Sequence, residues 1–381
     1  MNAAEDHYAN REQSQIKHVI LRSYLGEFAH KILSWADGLV YVDGFAGPWQ
    51  TADDSDFKDS SFGIALSELT KARNTWRRLD KDPEIECIFL ESDPQAFLQL
   101  NSFCLRQKDQ HITALNKTFE DAIPDLVKNL ETRGKSWFAF FLIDPKGWKG
   151  FGLKRLAPLI RRKPSETLVN FMTGHIHRFI EAENAAIQES FSLLYNSDEF
   201  AKKVAGLTGQ EREDAMMLSY AERLAEVGDY PFVSTALVQN PTRDRTHYHL
   251  IYATRRIEGI QVFKSAERKA LKLAPVLRAK AKGRRQEEKT GQRSLFEPTD
   301  LPDTAHLEHL TLHFESQAAT VMAKFASREE AIAYDRLYAL AMRFPIVQED
   351  FVRQWLAENG FQSSQPTRTP KPGGDFTFHR R

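Results

Sequence analysis

The stretch Val40-Tyr41-Val42-Asp43-Gly44-Phe45-Ala46-Gly47-Pro48 decides how the rest of this 381-residue chain is read. β-Prone apolar residues run into an acidic residue and then into a turn with glycines three apart, the pattern of a strand ending in a tight turn. Gly44 and Gly47 lack a Cβ, so backbone amides there can approach a ligand closely. Asp43 at the strand end repels a pyrophosphate and attracts the ammonium of a methionine moiety. The three-glycine dinucleotide fingerprint is absent. A strand-to-helix turn with an acidic cap uses the same residues, so this segment alone assigns no function.

Working outward, Ile16, Val19, Ile20, Tyr24, Phe28 and Ile32 recur at helical spacing. Apolar, β-prone runs follow at 39–42, 85–90, 111–115, 137–143 and 166–172, with helical patterns at 62–75, 95–105 and 120–132 between them. That alternation predicts βαβ units and a parallel sheet buried on both faces. After a helical insert at about 174–230 come two more β-like runs, 232–239 and 248–254, joined only by residues 240–245. So short a connection cannot cross over, and these two strands must be antiparallel. The expected fold is α/β: a Rossmann-like sheet of the S-adenosylmethionine (SAM) methyltransferase kind, parallel strands closed by an antiparallel hairpin.

Three further signals fall at strand ends. Glu91, with Asp93 second, can accept from both hydroxyls of an adenosine ribose, a contact NAD sites share. In Asn116-Lys117-Thr118-Phe119-Glu120-Asp121 a polar group can meet an adenine while Phe119 packs on its ring; the same residues suit a helix N-cap equally. In Ile143-Asp144-Pro145-Lys146-Gly147-Trp148, Asp144 and Pro145 are the candidate catalytic pair. Asp144 would orient the acceptor, with Lys146 and Trp148 on the acceptor side and the indole available to stack an unstacked base. Two readings stay open for His175, His177 and Arg178: lining the acceptor side, or capping a helix. Phe45, Gly44, Gly47, Asp43, Glu91, Asp93, Phe119 and Glu120 make up the expected cofactor set, and no metal is expected.

Net charge is zero, yet residues 255–293 hold thirteen Lys/Arg against four Asp/Glu. This block is either a footprint for phosphate backbones or a solvated helical linker. Cys87 and Cys104 form neither a disulfide framework nor a metal-ligand spacing. With no apolar run near membrane-spanning length and a polar start, a cytoplasmic setting is expected. The predicted organisation is a methyltransferase-like domain over 1–263, a basic helical linker over 264–300, interrupted at Pro275 and Gly283, and a small domain over 301–381. In that last domain, helices at 329–344 and 348–358 precede a strand at 375–379, suggesting a winged helix or a dimerisation cap.

On the segments 41–48, 89–93, 143–145 with 147–148, and 169–171 with Arg178, and on Gly291-Gln292 and Ser294-Leu295-Phe296, the sequence resembles the three-Cys-motif partner family, TcmP. The resemblance implies a methyltransferase-like fold and association with a protein carrying the three-Cys motif. The chain departs from the family pattern at Trp49, at Ser60-Ser61-Phe62-Gly63, and at Lys146, where amino-group methyltransferases usually carry an aromatic. Three functions therefore stand: a SAM-dependent methyltransferase of nucleic acid, a non-catalytic scaffold that docks the partner, and a regulator whose C-terminal helices read DNA.

Overall fold

Six residues, Gly38–Asp43, form strand β1, and every one is buried. β4 (Trp137–Ile143) and β5 (Ser165–Phe171) are likewise buried along their whole length, as strands covered on both faces must be. β2 (Glu84–Leu90) flanks β1 on the side away from β4, and β3 (His111–Leu115) forms the edge. All five are parallel. β7 (Thr246–Thr254) pairs antiparallel with β5, and β6 (Phe232–Gln239) antiparallel with β7. The order β3-β2-β1-β4-β5-β7-β6, with β7 reversed, is that of the methyltransferase sheet. This is a computed structural model, and it describes residues 8, 10–47, 57–107, 111–174, 176, 185–197, 200–291 and 298–380.

Helices α1 (Glu12–Leu33) and α2 (Ser61–Arg77) pack together on one face. α3 (Pro94–Arg106) packs on β3. After β3 the chain reverses direction across the sheet, so right-handed crossovers put α4 (Phe119–Thr132) and α5 (Leu153–Ile160) on the other face. The predicted insert contains α6 (Ala185–Tyr195), α7 (Phe200–Val204) and α8 (Gly209–Gly228).

The expected linker is part of the core. Residues Ile257–Thr290 form one helix, α9, which runs through Pro275 and Gly283 and packs along α1 and β6. Its apolar stripe, Ile260, Phe263, Ala266, Ala270, Ala274 and Leu277, is buried; it uses small residues and lies among many cations, so the sequence read as a charged spacer. Most of those cations are bound within the chain. Arg278, 2% exposed, donates to Asp303 (2.9 Å), Asp244 (2.5 Å) and the Arg243 carbonyl (3.0 Å), clasping the β6–β7 turn. Arg284 pairs with Glu12, Lys269 with Glu27 and Lys282 with Asp244.

The C-terminal unit contains α10 (Ala305–Ala326), β8 (Ala331–Ala333), α11 (Tyr334–Ala341), α12 (Glu349–Glu358), β9 (Phe361–Ser363) and β10 (Thr377–Arg380), with an antiparallel sheet in the order β8-β10-β9. The helix expected from 329 starts instead at Tyr334, because Ala331-Ile332-Ala333 pairs with β10, a long-range partner that periodicity cannot show. α10 went unread.

A buried ion pair on α9 ties this unit to the sheet domain. Lys264 donates to Glu267 (2.8 Å), to the Thr235 carbonyl (3.0 Å) and to the Phe344 carbonyl (2.7 Å). Glu267 accepts from the Ile346 amide (2.8 Å), at a residue held at φ 69°, unusual for a β-branched side chain. Ser234 and Thr235 hydroxyls donate to the Met342 and Arg343 carbonyls, each at 2.6 Å. Removing one partner strands a buried charge, a loss of about 3–5 kcal/mol. Glu267→Ala is therefore expected to unfold at markedly lower denaturant and to expose residues 342–348 to protease. The paired Lys264→Met/Glu267→Leu change should lose less stability than Glu267→Ala in the same titration.

Candidate active site

The strand order reverses between β1 and β4, and ligands of open α/β sheets sit outside the carboxyl ends of strands at such a switch. A cleft of about 600 Å³ opens there, lined by residues that follow β1 (Gly44, Phe45), β2 (Glu91 to Asp93), β3 (Lys117 to Phe119) and β4 (Asp144 to Gly150). The loops are pinned by continuing the ladder: the Gly44 amide donates to Leu142 (2.9 Å), Ala46 to Leu90 (2.8 Å) and Glu91 to Leu115 (3.1 Å). Four consecutive strand ends thus meet at one hollow.

Among the expected cofactor residues, Gly44, Phe45, Glu91, Asp93 and Phe119 line the cleft. Glu91 is 6% exposed. Its Oε1 accepts from the Asp93 amide (2.7 Å), while Oε2 has no partner among the described residues. Asp93 caps α3, accepting from Gln95 (3.1 Å) and Ala96 (2.8 Å). Phe119 is nearly buried, its ring edge-on to Phe45 at 5.8 Å. A Cβ on Gly44 would stand 2.9 Å from the Phe119 ring, so the close approach this glycine permits is to Phe119. Asn116 donates to the Glu91 carbonyl (2.8 Å), joining the β2 and β3 loops.

Asp43, Gly47 and Glu120 lie behind the lining. Glu120 accepts from the Gly152 amide (3.1 Å) and pairs with Arg155. Gly47 is buried in the same loop as Gly44. Asp43 is fully buried; its carboxylate accepts from the Phe45 amide (3.1 Å) and the Ser61 hydroxyl (2.7 Å). Burial pushes its pKa up to about 7 despite those two bonds, which pull the other way. Pro48, Trp49, His175, His177, Arg178, Gln292 and 294–296 fall outside the described residues.

Asp144 is the most constrained carboxylate at the cleft. Lys17 of α1 holds Oδ2 at 2.5 Å, and Asn170 of β5 donates to Oδ1 at 2.6 Å. Lys17 carried no sequence signal, since it meets Asp144 across 127 positions. Pro145, Lys146 and Trp148 also line the cleft. Trp148 is fixed by a bond from its indole nitrogen to Ser190 (3.1 Å) and by Phe191 at 5.8 Å. Lys117, Lys146 and Lys149 line the cleft beside the carboxylates of Glu91, Asp93 and Asp144, so its lining is mixed in charge, and Lys117 is paired with Asp125.

No protein-family model matches the chain. No curated protein matches it. Among solved structures, protein LPL1258 from Legionella pneumophila is 10% identical, with a TM-score of 0.35 over 66% of this chain and 90% of its own. A loganic acid methyltransferase with SAH is 8% identical, with a TM-score of 0.32 over 74% of this chain and 90% of its own. These likenesses are too distant to bear on chemistry, and the strand order itself defines the fold. Among the described residues no helix is long and apolar enough to cross a membrane, and no cluster of His, Cys, Asp and Glu could hold a metal.

The raised Asp43 pKa has a consequence for stability. Between about pH 4 and 7 the folded chain keeps a proton that the unfolded chain has released. Stabilisation from this group is thus complete below pH 4 and lost as the pH rises through about 7. Asn at this position does not titrate, and it can accept from the Phe45 amide through Oδ1 while its Nδ2 donates to the Ser61 hydroxyl oxygen. The stability difference between Asp43→Asn and the parent chain, measured by denaturant titration, is expected to shift in the variant's favour by a few kcal/mol, on the order of magnitude set by linkage, from pH 4 to pH 8.

Proposed function

We propose that the chain is a SAM-dependent methyltransferase that acts on nucleic acid and works with a three-Cys-motif partner protein. One observation carries the reading: the four strand ends of a methyltransferase-order sheet converge on a cleft of about 600 Å³, within the range of small-ligand sites. The residues present suit the group. Glu91 offers its open Oε2 to ribose hydroxyls, and Phe45 and Phe119 offer apolar ring surface to a purine. Asp43 acts through the loop, holding the Phe45 amide and Ser61 in place. Bound there, SAM would supply an electrophilic methyl group on a sulfonium centre.

Asp144 and Pro145 would set the acceptor beside that group. Each Asp144 oxygen bears one bond and keeps a lone pair, so the carboxylate can orient an acceptor N–H or O–H while Lys17 and Asn170 fix its direction. Positioning is then the main catalytic term. Lys146 and Lys149, on the acceptor side, can meet phosphates of a polyanionic acceptor, with Trp148 fixed as a stacking surface. The α9 cations, bound internally, supply little of this attraction.

We read the C-terminal order α-β-α-α-β-β as a winged helix. Its second helix after β8, α12, carries Glu349, Asp350 and Glu358, and its Arg353 is bound to Glu349 and Asp350. An acidic helix is poorly suited to phosphate, which favours partner docking over DNA reading. The scaffold reading draws on one observation: both oxygens of Asp144 are already engaged.

Calorimetry with SAM is expected to show binding that weakens at least tenfold in Glu91→Ala, as loss of a charged hydrogen bond implies. Asp144→Ala should keep that affinity within about threefold and lose transfer of labelled methyl to DNA, tRNA or rRNA assayed with the partner. Undiminished transfer in Asp144→Ala would remove its catalytic role. Binding without transfer to any acceptor would leave the scaffold reading.

A further inference from the structure

A second hollow of about 590 Å³ lies at the opposite end of the sheet, where β4 and β5 begin and β7 ends. Phe138, which lines it, and Asp144 stand six residues apart along β4 and its exit, roughly 20 Å at strand rise. Nothing in the methyltransferase reading uses this site.

Its walls are aromatic. Phe28 of α1 packs edge-on to Phe138 with ring centroids 5.6 Å apart, and Trp35 stands edge-on to Phe138 at 6.1 Å. Trp35 is 54% exposed, unusual for so large an apolar side chain, and it stands beside an apolar hollow. The one buried carboxylate, Glu166, is engaged within the chain: the Tyr24 and Thr254 hydroxyls donate to one oxygen each, and burial raises its pKa. Gly259 seals this floor, since a Cβ there would lie 2.4 Å from the Tyr252 hydroxyl.

The charges at the rim are not balanced. Lys163 pairs with Asp229, and Arg256 with Glu258. Arg255 forms no salt bridge among the described residues; its terminal nitrogens donate to the Ser165, Ile160 and Gly228 carbonyls and the Ser165 hydroxyl, its guanidinium stacks on Tyr230, and its Nε is buried without an acceptor. The Lys31 ammonium has no acidic partner among the described residues. An apolar lining with a few convergent polar groups is the composition of a ligand pocket, and here the two cations without a salt bridge among the described residues are Lys31 and Arg255.

We infer that this hollow binds a small amphipathic anion, its flat apolar body against Phe28, Trp35 and Phe138 and its acidic group at Lys31, in the field of the Arg255 guanidinium. Loss of either half of that recognition should be separable, because Trp35 and Lys31 are both exposed and replaceable without disturbing the core.

The test is a fluorescence titration of the full chain with 8-anilinonaphthalene-1-sulfonate. The expected result is saturable one-to-one binding, weakened at least tenfold by Trp35→Ala and by Lys31→Glu, restored by Trp35→Phe, and unchanged by Glu91→Ala or by added S-adenosylhomocysteine. The uncharged N-phenyl-1-naphthylamine should bind at least tenfold more weakly. Equal uptake of the neutral dye would mark a merely apolar surface, and displacement by S-adenosylhomocysteine would put the dye in the other cleft; either overturns the inference. So does an absence of binding in the parent chain, which would leave the hollow to a macromolecular partner. Unchanged melting of the two variants excludes misfolding as the cause of a loss.

Discussion

Because β1 to β5 run parallel, their carboxyl ends lie along a single edge of the sheet, and every group with chemical character at the candidate site depends on that alignment. Glu91, Phe119 and Asp144 come from separate βα units, yet one edge gathers them around one cleft. Burial of β1, β4 and β5 on both faces fixes the register, since a slip would drive the polar ends into the core. The amino ends necessarily form a second, opposite edge. There the chain places a second hollow, walled by Phe28, Trp35 and Phe138.

The zero net charge conceals an internal economy of ions. Cations of α9 bind acids and carbonyls of α1, the β6–β7 turn and the C-terminal unit, so this helix joins three parts of the molecule. Buried pairs such as Lys264 with Glu267 add little net stability over apolar packing, but a broken one is destabilising. Such a pair therefore enforces one docking geometry for the 342–348 turn. At the other end of α1, Lys17 does the same for Asp144.

Most of the sheet was legible because parallel strands are short apolar runs bounded by turns, and the six-residue link after β6 left only an antiparallel return. Boundaries moved by a residue or two, as at β1 and β7. What stayed hidden shares one cause: long-range partners. β8 is three residues long and exists through β10; α9 looked like a linker because half of its apolar stripe is alanine; Lys17 and Ser61 join the site through folding alone. At the site, Glu91 and Asp144 were read from position at strand ends, whereas the inward turn of Asp43 depends on Ser61 and could not be read from its own segment.

The most direct test of the central claim is a crystal structure of the full chain grown with S-adenosylhomocysteine. The expected result is one ligand per chain in the cleft between the β1 and β4 loops, with its ribose hydroxyls on Glu91 and its sulfur facing Asp144. Density for the ligand at the far hollow or on the surface, or a cleft that takes up none at millimolar concentration, would contradict it.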